Sequence, residues 1–287
     1  MSMVSTLHRI KGLGLGAISL GYLVFVLNSI QALRILVYPF KPSLARRMNR
    51  WCARSIWGWW VIQAESTNQT HIRFSGDPIP ARENAFVVAN HQSVVDVLVL
   101  ICLAWRLRRL GDVKWFVKDI VRYIPGFGFG MQMLDCVFVK RDWTKDVDHI
   151  QRLFEKYRAN DIPMFLVSFL EGTRKTAAKY EAAVEFAKSR NMYVPAHTMV
   201  PRTKGFSATV AGLRDHLDAV YDVTIGYEGD PAPSLIDAFS GNIARIHVHV
   251  ARHPIDSIPK SDEALNQWVF DSYVRKDSLL EQRVSEG

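Results

Sequence analysis

Cysteine is too scarce in this chain to build a covalent framework. Cys52, Cys102 and Cys136 are the only three, and no two of them have metal-ligand spacing. That excludes a disulfide-stapled scaffold and a cysteine-based zinc site, and leaves free thiols in a reducing compartment. A G-x-S-x-G elbow is also lacking, which removes the serine-nucleophile chemistry of α/β-hydrolases. Internal repeats and low-complexity tracts are missing too. Acidic residues are in deficit: 28 Asp and Glu face 36 Lys and Arg, a formal charge of +8. An anionic partner fits that balance, nucleic acid and a membrane surface equally. Only 22% of residues are charged and 48% are hydrophobic, so general disorder is excluded and a sizeable core is expected.

Charge is missing altogether from Gly12 to Gln31, a run close to the roughly 20 residues that cross a bilayer. A signal peptide would have a shorter apolar region and a small-residue cleavage site, so this run is an anchor or a buried helix. Its four glycines, with Ser19, Asn28 and Ser29, weaken the case for a simple lipid-facing span, and a membrane-embedded segment remains the expectation. From Ser43 to Glu65, Arg46, Arg47, Arg50 and Arg54 interleave with Leu44, Met48, Trp51, Ile56, Trp57, Trp59 and Trp60. Arginine and tryptophan suit the headgroup layer because each has an apolar body and a polar tip. The alternative is an amphipathic helix packed on the rest of the chain. No nucleic-acid motif accompanies these cations, so the expected partners are membrane phospholipids and not nucleic acid. The expected location is a membrane, either a bacterial inner membrane or a eukaryotic endomembrane.

The polar stretch Ser66–Thr70 marks a boundary, giving membrane-embedded or interfacial helices over residues 1–64 and one domain over residues 65–287. In that domain, short apolar runs at Ala85–Ala89, Trp115–Val117, Cys136–Lys140, Met164–Phe169, Ala219–Tyr227 and Ile243–Val250 read as strands. Asp96–Trp105, Asp146–Tyr157 and Ala177–Arg190 read as helices, and a last amphipathic helix runs from Ser261 or Asp262 to about Leu280. This alternation predicts an α/β fold with a central, mostly parallel sheet flanked by helices. Chemistry in such sheets gathers beyond the carboxyl ends of the strands.

The first strand end runs into Asn90-His91, with Ser93 placed to cap the next helix and Asp96 about one turn into it. A carboxylate there folds back onto an imidazole at the helix entrance, fixes its tautomer and stabilises the imidazolium. The other ring nitrogen can then take a proton from a hydroxyl. His91 as an ordinary loop histidine, a metal ligand or the partner of a serine are the alternatives. The spacing to Asp96 is wrong for two ligands on one helix face, and no serine elbow is available.

The second strand end carries Glu171-Gly172-Thr173-Arg174. Gly172 permits a tight turn, Thr173 offers a hydroxyl, and Arg174 offers a planar fork matched to phosphate. Glu171 can hold that guanidinium or nearby backbone donors; a polar loop with a surface ion pair is the alternative. His247 and His249 share one strand face, which suits an exposed sheet better than a metal site without a third ligand. Gly126, Gly128 and Gly130 suit close packing at a turn better than a phosphate cradle, since they follow no strand in the required way.

Four ordered blocks resemble the 1-acylglycerol-3-phosphate acyltransferase (lysophosphatidate acyltransferase) family of glycerolipid acyltransferases. They are Asn90–Asp96, Val137–Arg141, Phe169–Arg174 and Val200–Phe206, and similarity extends from about Phe86 to Leu280. The resemblance implies that His91 is the general base and Asp96 its orienting carboxylate. It implies that Glu171, Gly172, Thr173 and Arg174 bind the acceptor phosphate, with Lys118 and Arg141 as further basic positions. It implies direct attack on an acyl thioester, of coenzyme A or acyl carrier protein, by a lysophospholipid hydroxyl, with no covalent acyl-enzyme, metal or cofactor. The most fitting acceptor is 1-acyl-glycerol-3-phosphate, giving phosphatidic acid. The basic block Pro201–Phe206 resembles a branch that also includes lysocardiolipin and lysophosphatidylinositol acyltransferases. There, either Arg202 and Lys204 touch phosphate or carrier, or Pro201-Arg202-Thr203 is a rigid turn before a helix. A non-catalytic binder of anionic lipid and a hydrolase using water at the same His–Asp pair are the competing functions.

Overall fold

The computed structural model describes residues 3–140, 142–228, 232–241, 243 and 245–286. The chain opens with α1 (Met3–Gly21), a π-helical stretch (Tyr22–Leu27) and α2 (Asn28–Val37), which follow one another without a break. Within them, Ile10–Val37 is long and apolar enough to cross a membrane, by length and composition. Leu23 and Leu27 face inward, while Leu13, Phe25, Leu33 and Leu36 are exposed. The uncharged run thus lies inside a longer helix than its composition marks out.

Pro42 starts α3 (Pro42–Ile62), where a missing N–H costs nothing. Ala45, Asn49, Cys52, Ala53, Ile56, Trp57 and Val61 recur at helical spacing and are buried. Arg47, Arg50, Trp51 and Arg54 point to solvent. One face of α3 is therefore packed on the domain, as the amphipathic alternative expects, and the other presents arginine and tryptophan.

Seven strands form the sheet: β1 (Ile72–Gly76), β2 (Ala85–Ala89), β3 (Val113–Lys118), β4 (Val137–Val139), β5 (Phe165–Phe169), β6 (Ala219–Tyr227) and β7 (Ile246–Pro254), in the order β1-β7-β6-β2-β5-β3-β4. Strands β2 to β6 run parallel to one another, while β7 is antiparallel to β6 and carries β1 with it. The helices after α3 are α4 (Val95–Arg106), α5 (Phe127–Met133), α6 (Trp143–Ala159), α7 (Ala177–Ser189), α8 (Lys204–Leu213), α9 (Leu235–Ser240) and α10 (Asp262–Glu286). The mostly parallel α/β expectation holds. Strand β1 and helices α5 and α9 were not anticipated as elements, α8 was anticipated only as the helix after the Pro201 turn, and the last strand sits three residues later than expected.

Period-two alternation explains how the sheet is covered on both faces. In β2, Ala85, Val87 and Ala89 join the core shared with α3 and α4, whereas Phe86 and Val88 join the core shared with α6, α8 and α10. All five are fully buried. The N-terminal helices thus lie on one defined face of the sheet, and Phe169, the last residue of β5, packs on that same side.

Candidate active site

Register places the two chemistry-bearing strand ends side by side. Ala89 at the end of β2 is level with Phe169 at the end of β5. Beyond Ala89 the backbone leaves the sheet because the Asn90 side chain takes over its pairing. Asn90 Oδ1 accepts from Ile225 N at 2.8 Å, and Nδ2 donates to Ile225 O at 2.9 Å. The chain is then free to turn at His91.

His91 Nδ1 lies 2.9 Å from Asp96 Oδ2, with the imidazole 16% exposed and the carboxylate fully buried. The same oxygen accepts from Gln92 N at 2.8 Å and Ser93 N at 2.9 Å. Tyr227 donates its hydroxyl to the other oxygen, Oδ1. Burial pushes the Tyr227 hydroxyl well above its usual pKa, which keeps it a donor. Asp96 is therefore held by four donors, and a carboxylate at Nδ1 leaves Nε2 of His91 without the proton. Ser93 Oγ accepts from Val95 N at 3.0 Å, but the N-cap position of α4 falls on Val94, one residue later than expected. The His91 ring stacks on Phe169, with centroids 3.9 Å apart and planes 14° off parallel.

After β5 the chain turns through Gly172, whose φ of +70° suits glycine. A Cβ there would stand 3.3 Å from Arg202 Cδ and Nε. Arg202 N donates to Leu170 O at 2.8 Å, which ties the Pro201–Phe206 block to this turn. Thr203 precedes α8, so that block is a turn before a helix and a neighbour of Gly172 as well.

The turn is also tied to His91. Lys175 N donates to His91 O at 3.0 Å, and His91 N donates to Glu171 Oε1 at 3.1 Å. Glu171 is only 3% exposed, and its Oε2 is buried with no hydrogen-bond partner among the described residues. Burial pushes its carboxyl up to about 8, despite the bond from His91. Of the two partners expected for Glu171, a guanidinium or backbone donors, the structure shows the backbone: the side chain lies under the turn and holds His91 N. Thr173 Oγ1 accepts from Lys179 Nζ at 2.7 Å. Arg174 is exposed and makes no hydrogen bond or ion pair with a described residue.

Lys118 is exposed at the end of β3, which runs parallel to β5 on its far side, so it belongs to the same edge. Arg141 lies outside the described residues. His247 pairs with Glu228 at 2.8 Å and His249 lies 3.3 Å from Ser75 Oγ. No group of three or more side chains suited to a metal occurs among the described residues. A Cβ on Gly128 would fall 1.9 Å from Arg122 O, so close packing accounts for that glycine. Asn90, Phe169 and Tyr227 were missed as site residues. Asn90 and Phe169 stood inside the quoted blocks, whereas Tyr227 was marked only by ending a strand.

Comparison with known proteins bears on the same residues. The family model described as "Acyltransferase" matches residues 71–228, and the one described as "Acyltransferase C-terminus" matches residues 237–287. The 1-acyl-sn-glycerol-3-phosphate acyltransferase 2 of Arabidopsis thaliana is 33% identical over 93% of this chain and 72% of its own. The human 1-acyl-sn-glycerol-3-phosphate acyltransferase gamma is 31% identical over 89% of this chain and 69% of its own. The crystal structure of the 1-acyl-sn-glycerophosphate acyltransferase PlsC from Thermotoga maritima superposes with a TM-score of 0.56. It covers 97% of this chain and 98% of its own at 17% identity, which establishes a shared fold.

Proposed function

Since this chain belongs to the 1-acyl-sn-glycerol-3-phosphate acyltransferase family, we propose that it transfers a fatty acyl group from a thioester to the free hydroxyl of 1-acyl-glycerol-3-phosphate. The product is phosphatidic acid and the donor is acyl-coenzyme A or acyl carrier protein. The observation that carries this reading is the Asp96-held imidazole of His91 beside the Glu171–Arg174 turn at one sheet edge.

In this mechanism Arg174 binds the acceptor phosphate through its planar fork, with Lys118 and Arg141 adding positive charge. Glu171 acts from beneath by fixing the His91 backbone. His91 Nε2 removes the hydroxyl proton as that oxygen attacks the thioester carbonyl. Asp96 stabilises the imidazolium that results. The tetrahedral intermediate then expels the thiolate, and the imidazolium returns its proton to sulfur. No covalent acyl-enzyme is needed.

The N-terminal helices fit a membrane role. They cover the sheet face on which Phe169 and the His91 ring stack, and the exposed Ile120, Tyr123 and Ile124 follow β3 at the active edge. A bilayer along that face would let a lipid acceptor keep its chain embedded. The test is purified protein with one acyl-coenzyme A and a panel of lysolipids, with products identified by mass. Lysophosphatidate should give phosphatidate. Thiol release at the same rate without any lysolipid would mean hydrolysis and overturn the reading.

A further inference from the structure

The amino ends of the parallel strands, opposite the His91 edge, carry a second built feature. A groove of about 790 Å³ is lined by Arg50, Arg54, Arg82, Arg106, Arg108 and Arg109. Arg82 precedes β2, Arg109 precedes β3, and Arg50 and Arg54 come from α3. Trp105, 44% exposed, completes the wall. A five-residue strand separates this groove from the other edge by about 17 Å, so it is not part of the acceptor site. A smaller cavity lined by Arg46 and Arg47 shares Arg50 and Asp112 with it.

Acidic side chains offset little of this charge. Asp112 is held between Arg50 at 2.7 Å and Arg109 at 3.1 Å, and Glu65 meets Arg106 at 2.7 Å. Arg54, Arg82 and Arg108 are exposed, and their side chains have no hydrogen bond or ion pair to a described residue. Arg109 has a 6% exposed side chain that donates to Asn84 Oδ1 and Met164 O, yet its Nε is buried without a partner. Arg82 and Arg108 also hold φ of +70° and +57°, a region that costs an arginine energy. Concentrating like charges this way is unfavourable unless an anion is bound among them.

We infer that this groove binds the phosphate headgroup of an anionic membrane lipid, at a site separate from the acceptor site. Guanidinium forks match phosphate oxygens, and the volume suits a headgroup. The lipid source follows from the setting. Trp105 lines the groove, the exposed Trp51 neighbours Arg50 on α3, and the apolar stretch Ile10–Val37 leads into that helix. Tryptophan with arginine is the composition of the headgroup layer. The inference rests on the membrane reading of the N-terminal helices.

The test uses the full chain in neutral detergent, with phosphatidylglycerol, phosphatidylcholine, inorganic phosphate and glycerophosphoglycerol as probes and native mass spectrometry as readout. The wild type should retain one phosphatidylglycerol about tenfold in preference to phosphatidylcholine. The triple variant Arg54→Gln, Arg82→Gln, Arg108→Gln should bind it about 100-fold more weakly, as expected for three cations near a lipid headgroup. Lysine at the same three positions should restore most of that loss. Acyl transfer to a short-chain lysophosphatidate, measured on the same samples, should be unchanged and serves as the folding control. Equal retention by wild type and triple variant would overturn the site. Displacement of the lipid by either soluble anion at comparable concentration would overturn its assignment to a lipid. Absence of transfer by the wild type would instead count against the proposed reaction and leave the lipid measurement valid.

Discussion

Glu171→Gln should free the folded chain from a loss of stability on going from mildly acidic to mildly alkaline pH. Glutamine has the shape of the protonated carboxyl and can still accept from His91 N. In the folded chain burial raises Glu171 from 4.5 to about 8. Below pH 4.5 the side chain is protonated whether the chain is folded or not, and its contribution is constant. Between 4.5 and 8 only the unfolded chain ionises, so the folded state loses about 1.4 kcal/mol per pH unit. Above 8 both states are ionised and the loss levels off. From pH 5.5 to 7.5 the wild type should therefore lose about 3 kcal/mol relative to the variant. For a chain of this size that is on the order of 6 °C or more in melting temperature. Thermal melts of both proteins in neutral detergent across this range give the comparison, since other titrations cancel in the difference. A difference in melting temperature that stays flat with pH would refute the buried, neutral Glu171.

Asp96→Asn should keep the site's geometry and lose its charge. The amide oxygen can stay with His91, Gln92 and Ser93, while the amide NH₂ meets Tyr227, whose hydroxyl can turn to accept. The kcat should fall about 10²-fold with KM nearly unchanged, read from steady-state kinetics. Arg174→Ala should raise the acceptor KM about 10- to 100-fold with a smaller effect on kcat, as expected for one charged hydrogen-bond partner. Asn90→Ala leaves Ile225 N–H and C=O buried without their partners and should lower stability by about 2–4 kcal/mol, measured by denaturant melts.

Legibility in the sequence followed burial and separation along the chain. Strands β2 and β6 were read to the residue because nearly every position in them is buried and apolar. Strand β1 was missed because it is a short edge strand in which Arg73, Ser75 and Gly76 are exposed or half-exposed, so its pattern carries little apolar signal. The extent of helix α8 was hidden by glycines and β-branched residues that lower helix propensity; its burial against α6 and α10 overrides that. The antiparallel return of β7 left no mark, since direction is not encoded in alternation. At the site, His91 and Asp96 were legible because both lie on one strand-to-helix turn. Tyr227 and Phe169 reach that turn only through sheet order, from positions far along the chain. Glu171 was expected to meet either a guanidinium or backbone donors, and burial selected the backbone.

The removal of His91 tests the central claim most directly. Thiol release from acyl-coenzyme A, followed with and without lysophosphatidate, should depend on the acceptor in the wild type. In His91→Ala the acceptor-dependent rate should drop by about 10²- to 10⁴-fold while acceptor binding stays close to wild type. Acceptor-dependent release at the wild-type rate in that variant would contradict the account.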